Sequence, residues 1–251
     1  MGLSSNTIIH FTKNISNLKG ILTDGFKISY CRETINVKSK KYDLLIPMVS
    51  FCDIPFSQII SHIDSYGSYG IGLKKSWAEK KGLNPVLYLE KDSLLTENIL
   101  ENLYKHLTVS KTKITELDED EKCRFDFIRY VKNYQGDLSR IGKKTIPNYR
   151  FSDEREWRYV IDPKLDYPLF GNLKNIAVDK ISAAKKMQNK KIETERLTFT
   201  PEDINYIIIK NELERDKIID TLTKVNGKYP HEDVKRLTSR IISAEQLRTD
   251  F

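Results

Sequence analysis

Glu156 is the acidic residue of this sequence that is best placed to do chemistry. It is the first residue of the β-prone run 156–161. A carboxylate there costs free energy if it is buried alone, so it lies at an exposed strand end, pairs with Arg155 or Arg158, or serves a reaction. A preorganised carboxylate can stabilise the positive charge that develops on a sugar when a glycosidic bond breaks. The ion pair and the reaction are both open interpretations.

A second candidate segment joins an apolar strand to a cluster of tyrosines and glycines. The strand ends near Ser50 and Phe51, a turn follows, and Tyr66 and Tyr69 then lie among three glycines of the segment 66–72. Glycine lets a backbone approach a ligand closely, and tyrosine offers a flat stacking face with a polar tip. The same pattern also fits a tight loop that is anchored by its aromatic side chains.

His10 is the third candidate, and it lies inside the β-prone run 7–12. A neutral imidazole is readily buried when it is hydrogen-bonded, so a purely structural histidine is an open alternative. His10, the segment 57–69 and Glu156 are far apart in sequence. They form one pocket only if the fold brings them together.

Hydrophobic periodicity and turn residues predict alternating strands and helices that would position these side chains. The segment from 92 to about 134 has helical periodicity, and its acidic run 116–121 is typical of a helix N-terminus. The tail from 230 to 251 is polar and helix-prone. Strands are predicted at 7–12, 26–30, 44–51, 70–73, 85–89, 156–161, 197–199 and 204–210, and helices at 15–22, 59–66, 77–81 and 212–222.

The charge of the chain favours polyanionic partners. Lys and Arg number 42 against 35 Asp and Glu, which gives a formal net charge of +7. Basic residues concentrate at 38–41, 74–81, 140–144 and 185–191. Each run alone is typical of a solvated surface, but together they make nucleic acid the leading predicted macromolecular partner.

The composition also disfavours several classes of protein. With 251 residues and 39% hydrophobic residues, the chain can bury a full core. No stretch approaches the roughly 18 apolar residues that span a bilayer, and no secretion signal is recognisable, so a cytoplasmic location without a membrane partner is predicted. The three cysteines are far apart and match no zinc spacing, so no metal site is predicted.

Several motifs resemble families of known proteins. The run Ile9–Thr12, followed by Asn17-Leu18, Ile21-Leu22 and Gly25-Phe26, resembles the opening of DarT-type DNA ADP-ribosyltransferases. The run Ser50–Asp53 with Ser57 is similar to the second core strand and serine-containing turn of the wider ADP-ribosyltransferase fold. Over most of its length, at 48–86, 154–160 and 199–209, the chain looks most like the AbiGi abortive-infection family.

The resemblance implies a single α+β domain over residues 1–251, with an ADP-ribosyltransferase-like split β-sheet core and a helical insertion at about 92–150. It implies that NAD is bound as a substrate, that His10 contacts its adenosine ribose, and that Tyr69, or Tyr66 in another register, stacks on nicotinamide. Glu156 would be catalytic, with Glu154 as the first acid of a Glu-x-Glu turn. The Asn-x-Arg NAD loop of close DarT relatives is absent from the sequence. The implied NAD-binding residues are His10, Phe11, Thr12, Ser50, Phe51, Ser57, Tyr66 and Tyr69.

Two functions follow from these resemblances. The first is an NAD-dependent ADP-ribosyltransferase toxin of an antiphage system that modifies RNA or DNA. The second is a non-enzymatic antitoxin that binds a co-encoded toxin, because the AbiGi family is usually described as the antitoxin half of an abortive-infection pair. A nuclease is disfavoured, since the acidic residues show no paired spacing on strands that would hold two magnesium ions.

Overall fold

The computed structural model describes residues 5–107, 118–138, 144–161, 171–173, 176–177, 180–225 and 227–250, and these combine helices with β-strands. The strands are β1 Thr7–Thr12, β2 Phe26–Lys27, β3 Ser29–Val37, β4 Lys40–Cys52, β5 Tyr69–Lys74, β6 Asn84–Pro85, β7 Leu87–Leu89, β8 Val131–Asn133, β9 Gln135–Leu138, β10 Ile146–Arg150, β11 Glu156–Val160, β12 Gly171–Asn172, β13 Arg196–Leu197, β14 Ile204–Ile209 and β15 Ile241–Ser243. The helices are α1 Ile15–Asp24, α2 Ile59–Tyr66, α3 Lys75–Lys80, α4 Leu94–Leu107, α5 Glu119–Arg129, α6 Ile181–Lys191, α7 Arg215–Lys224, α8 His231–Thr238 and α9 Ala244–Asp250.

The chain divides into two compact units. The first comprises residues 1–27, 50–84 and 196–251, and the second comprises residues 28–49 and 85–195. None of the described helices is both long enough and apolar enough to cross a membrane.

A mixed sheet organises the first unit, with its strands in the order β15-β14-β5-β1. β1 and β5 are antiparallel along their whole length, from Thr7 opposite Lys74 to Thr12 opposite Tyr69. β5 is also antiparallel to β14, whereas β14 and β15 are parallel. A parallel pair needs a crossover connection, which α7 and α8 supply here.

Apolar side chains on these strands pack against the helices of the first unit. Helix α1 buries Leu18, Ile21 and Leu22, whose spacing of three and four residues places them on one face. The helix ends at Gly25, where a φ of 89° suits glycine and the backbone N–H donates to the Ile21 carbonyl at 2.9 Å. A separate core cluster packs α2 and α9 against β1 and β14, and it comprises Ile9, Ile54, Ile59, Ile63, Ile208, Ala244 and Leu247.

The second unit is built around the hairpin of β3 and β4. The hairpin pairs from Ser29 opposite Met48 to Val37 opposite Lys40, with β11 and β12 beside β4. β7 and β8 form a short parallel pair, and β9 and β10 form an antiparallel pair. The core of this unit comprises Ile35, Val37, Leu44, Ile46, Met48, Leu89, Leu100, Phe125, Ile128, Val131 and Val160.

Most of the predicted elements are confirmed. The strand at 7–12 and the helix at 59–66 have the predicted bounds, and the acidic run does begin a helix. Asp118 is the N-cap of α5 and forms a capping box with Glu121, whose backbone N–H donates to Asp118 Oδ1 at 2.8 Å.

Four predictions of secondary structure need correction. The segment predicted as a helical insertion at about 92–150 is helical at 94–107 and 119–129, but β8, β9 and β10 form the rest of what is described. The predicted strand at 85–89 is two short pieces with Leu87 43% exposed, and the predicted strand at 197–199 is only β13. The helix-prone tail contains β15, and α6 was not predicted. The short strands form because they pair with segments distant in sequence, and the local hydrophobic pattern carries no information about such pairing.

Candidate functional site

In the first unit, a carbonyl and two aromatic rings fix the imidazole of His10. Its Nδ1 lies 2.8 Å from the Ser50 carbonyl oxygen, which can only accept, so Nδ1 carries the proton and Nε2 is left as an acceptor. The ring makes edge contacts with Phe26 and Phe51 at centroid distances of 5.2 and 5.6 Å. Burial lowers the pKa of His10, although the Ser50 hydrogen bond opposes this shift. His10 is therefore held neutral at physiological pH.

Thr12 and Tyr69 lie opposite one another at the end of the β1–β5 ladder. The Thr12 hydroxyl accepts a hydrogen bond of 2.9 Å from Asn17 Nδ2, which ties the strand motif to the helix motif that follows it. The Tyr69 hydroxyl donates to Glu214 Oε1 at 3.0 Å. Burial and this carboxylate raise the pKa of Tyr69 to about 12. Only 7% of Tyr69 is exposed, so its ring is largely covered by protein.

The other implied NAD-binding residues have different surroundings. Phe51 is fully buried beside His10, and Phe11 packs on the opposite side of β1, with its ring 6.2 Å from that of His62. The ring of Tyr66 stacks on His62 at 6.0 Å and 20°. Ser57 is exposed on a short 3-10 turn. The structure thus brings His10 together with Ser50 and Phe51, and places Phe11, Ser57 and Tyr66 elsewhere in the same unit.

The glycines between the tyrosines accommodate backbone rather than leaving open space. Gly67 has a φ of 131°, and a Cβ there would lie 2.3 Å from the Thr12 carbonyl oxygen. A Cβ on Gly70 would lie 3.2 Å from the His10 carbonyl oxygen. These contacts correspond to the alternative interpretation of the segment, a tight loop that packs against β1.

In the second unit, Glu156 lies in a buried cluster of ionic side chains. Its Oε1 accepts from Arg158 Nε at 2.8 Å, and its Oε2 accepts from Lys132 Nζ at 2.7 Å. Lys132 also donates to Glu154 at 2.8 Å, and Arg158 donates to Glu33 at 2.7 Å. We call these five residues the ionic cluster. Alternation along β11 directs Glu156 and Arg158 to the same buried face.

The two glutamates of β11 and its preceding turn differ in protonation. Burial opposes ionisation of Glu156, but Arg158 and Lys132 outweigh it and hold its pKa below the ordinary range of a glutamate. Burial raises the pKa of Glu154 to about 9, with the negative charges of Glu156 and Glu33 adding to the shift. At neutral pH, Glu156 is ionised and Glu154 is protonated, so the two cations face two carboxylates.

Two members of the ionic cluster were missed by the sequence analysis. Lys132 lies in β8, within the segment for which the sequence predicts helical periodicity. Its place in the ionic cluster depends on the parallel pairing of β8 with β7. Glu33 lies on β3 and reaches Arg158 across 125 residues of sequence. The one available signal was Arg158 itself, two residues from Glu156, which marked an ion pair as an alternative.

The implied site residues thus divide between the units. His10, Phe11, Thr12, Ser50, Phe51, Ser57, Tyr66 and Tyr69 belong to the first unit, and Glu156 with Glu154 belongs to the second. Among the residues that the structure describes, no group of three or more His, Cys, Asp or Glu side chains could hold a metal ion.

A sequence profile described as "Putative abortive phage resistance protein AbiGi, antitoxin" matches residues 24–210. The chain belongs to the AbiGi family. "Abortive phage resistance protein AbiGi" from Lactococcus lactis subsp. cremoris is 28% identical over 225 residues, which cover 82% of this chain and 89% of the relative. No solved structure matches the chain.

These comparisons confirm the AbiGi resemblance and its association with abortive phage resistance. The residues matched by the AbiGi profile include the whole ionic cluster, whereas β1 with His10 precedes them. The ADP-ribosyltransferase-like fold, the use of NAD and the nucleic-acid acceptor stay predictions.

Proposed function

We propose that this AbiGi-family chain is the non-enzymatic antitoxin of an abortive-infection pair and binds a co-encoded toxin. The description of the family profile, which includes the word antitoxin, supports this role. The observation that carries the proposal is that Arg158 and Lys132 occupy both carboxylate oxygens of Glu156.

This occupation bears on the choice between an antitoxin and a transferase. A carboxylate that stabilises charge on a sugar must face that sugar, whereas Glu156 is 4% exposed and points at two cations. Freeing it would leave buried charge without compensation, which costs about 3–5 kcal/mol. The ionic cluster is therefore suited to holding β11 within the second unit.

The antitoxin role can be tested by the growth of cells. The cells express the chain alone, the co-encoded partner alone, or the two together. We expect the chain alone to be harmless, the partner alone to arrest growth, and co-expression to restore growth with recovery of a stoichiometric complex. Growth arrest by the chain alone, relieved by Glu156→Gln at equal protein abundance, would contradict the proposal.

The second candidate is the NAD-dependent ADP-ribosyltransferase that modifies RNA or DNA. A specific observation favours it: His10 is neutral, is fixed by Ser50 and keeps Nε2 as an acceptor, which suits a hydrogen bond from a ribose hydroxyl. By strand alternation, Thr12 lies on the same face of β1 as His10.

Labelled NAD distinguishes this candidate from the antitoxin. Purified protein is incubated with labelled NAD and with RNA, DNA or cell extract, and both labelled acceptor and free nicotinamide are measured. The transferase requires label on one acceptor that disappears in Glu156→Gln and in His10→Ala. The antitoxin role requires neither label nor nicotinamide release from the parent protein.

A further inference from the structure

Helix α6 in the second unit exposes a face that is rich in lysine. The segment 180–191 contains five lysines and no acidic residue. Ala183, Lys186, Met187, Lys190 and Lys191 are all exposed. Their spacing of three, four, seven and eight residues from Ala183 places them on one side of a helix. We call these five residues the α6 face.

The opposite side of α6 is attached to the second unit. Asn189 Oδ1 accepts a 2.7 Å hydrogen bond from the Tyr30 backbone N–H at the start of β3, and α6 packs against β3. Lys185 is half-buried on this side, close enough to Cys31 for its charge to lower the thiol pKa against the larger effect of burial. The α6 face is therefore presented to solvent by a helix that is held in place.

The lysines of this face make no ion pair with any residue within the described ranges, and no acidic residue interrupts the segment 180–191, whereas two other basic runs are partly neutralised. At 38–41, Lys38 pairs with Glu97, and Lys41 pairs with Asp43 at 3.5 Å. At 74–81, Lys75 pairs with Asp53 at 2.7 Å, and Glu79 lies within the run. The run 140–144 lies outside the described residues except for Lys144.

We propose that the α6 face binds nucleic acid through its phosphodiester backbone. An ammonium group on a flexible stem attracts phosphate as a point charge and requires no fixed partner geometry. Such contacts are typical of sequence-independent nucleic-acid binding. An acidic protein partner fits less well, because protein interfaces are depleted in lysine and enriched in arginine and aromatic residues. The proposal is independent of the antitoxin role.

A matched pair of triple variants tests the proposal. Lys186→Gln, Lys190→Gln and Lys191→Gln together remove the charges of the α6 face. Lys80→Gln, Lys210→Gln and Lys217→Gln remove three other exposed charges, so both variants have the same net charge. Affinity of the full chain for a random-sequence DNA duplex and a random single-stranded RNA is measured between 50 and 200 mM salt, with circular dichroism as the folding control.

The salt dependence of the binding affinity shows whether the α6 face contacts phosphates. Each phosphate contact contributes roughly −0.9 to the slope of log affinity against log salt for duplex DNA, and roughly −0.7 for a single strand. We expect the α6 variant to reduce the slope by about 2 to 3 on the preferred nucleic acid, and the control variant by less than about 1. The better-bound probe identifies DNA or RNA as the source of the phosphates.

Three results would overturn the proposal. The parent protein fails to bind either probe at 50 mM salt, or both variants weaken binding equally, which indicates diffuse attraction by net charge. In the third, the α6 variant keeps the parental salt slope but loses its complex with the co-encoded partner, which assigns the face to an acidic protein instead.

Discussion

Arg158 is fully buried, and its guanidinium holds two carboxylates and a backbone carbonyl of the second unit. It donates to Glu156 and Glu33, and its Nη1 donates to the Arg129 carbonyl at 2.8 Å. Charges out of water are tolerated only when they are paired and hydrogen-bonded. Removal of one partner therefore lowers the free energy of unfolding by more than the intact pair contributes to it.

Arg158→Met should lower the free energy of unfolding by about 3–5 kcal/mol, because it leaves Glu156 and Glu33 buried with fewer compensating cations. Urea unfolding measures the change. Arg32→Met is the matched control: Arg32 pairs with Asp43, but its side chain is 36% exposed, and its removal should cost less than about 1 kcal/mol. Equal losses in the two variants would show that the ionic cluster does not stabilise the unit.

Glu154 should make the protein less stable as the pH rises from about 5 to 9. Its folded pKa of about 9 lies above its ordinary value of 4.5, so the folded protein holds a proton that the unfolded chain releases. Its contribution is present below the ordinary value and is lost as pH approaches 9, at no more than about 1.4 kcal/mol per pH unit. Glu154→Gln stays neutral and should flatten this decline in urea unfolding at pH 5.5, 7 and 8.5.

An exposed glutamate, Glu202, provides the control for the loss of a carboxyl group. Glu202→Gln should leave the decline with pH unchanged. If Glu154→Gln leaves the decline with pH unchanged, Glu154 is ionised in the folded protein and the protonation assigned to the ionic cluster is wrong.

At the scale of elements, the turn between α2 and β5 depends on a single residue. Gly67 combines a left-handed backbone with contact against the Thr12 carbonyl, so an added Cβ meets backbone that cannot rotate away. Gly67→Ala should destabilise the first unit by more than about 2 kcal/mol, through strain and the forced shift of β1.

Gly20 supplies the comparison for this prediction, because it lies within α1 and nothing is within 4 Å of its added Cβ. Gly20→Ala should stabilise the protein by roughly 0.5–1 kcal/mol, since alanine favours the helix interior. Thermal unfolding of both variants measures the two opposite signs. A gain in stability from Gly67→Ala would refute the packing described for the turn.

The N-cap of α5 allows another prediction about stability. Asp118→Ala removes the side chain that accepts from the Glu121 backbone N–H and should cost about 1 kcal/mol. Amide hydrogen exchange should show that the loss of protection begins in the first turn of α5. Protection that is unchanged throughout α5 would mean that packing, not the cap, fixes the helix end.

Elements with strong local signals were predictable, and those made by distant pairing were not. For helix α1, both signals, the spacing of its apolar residues and the terminating Gly25, lie within one short segment of sequence. β15 has three residues within a polar tail, and it is a strand because Ile207, Ile208 and Ile209 lie alongside it. The same holds for the candidate site, where Glu156 was identifiable from its place at the start of β11, but the positions of Lys132 and Glu33 depend on which strands become neighbours.

At the scale of the whole molecule, AbiGi membership was predictable from the sequence, whereas the chemistry was not. Membership of a family is recognised from many residues along the chain, and this recognition does not depend on the positions of side chains in the fold. A reaction depends on which atoms face a substrate. The atoms that Glu156 faces belong to partners 24 and 2 residues away, of which only Arg158 was evident from the sequence, and the catalytic role of Glu156 stays a prediction.

The division of the chain has a consequence for the order of events on the ribosome. Every segment of the second unit precedes residue 196, whereas the first unit needs strands β14 and β15 from the last quarter of the chain. A nascent chain therefore carries β5 without its neighbour β14 while the remaining residues are translated. During that interval the edge of β5 is open to pairing with other chains, and a chaperone or an early-bound partner would protect it best.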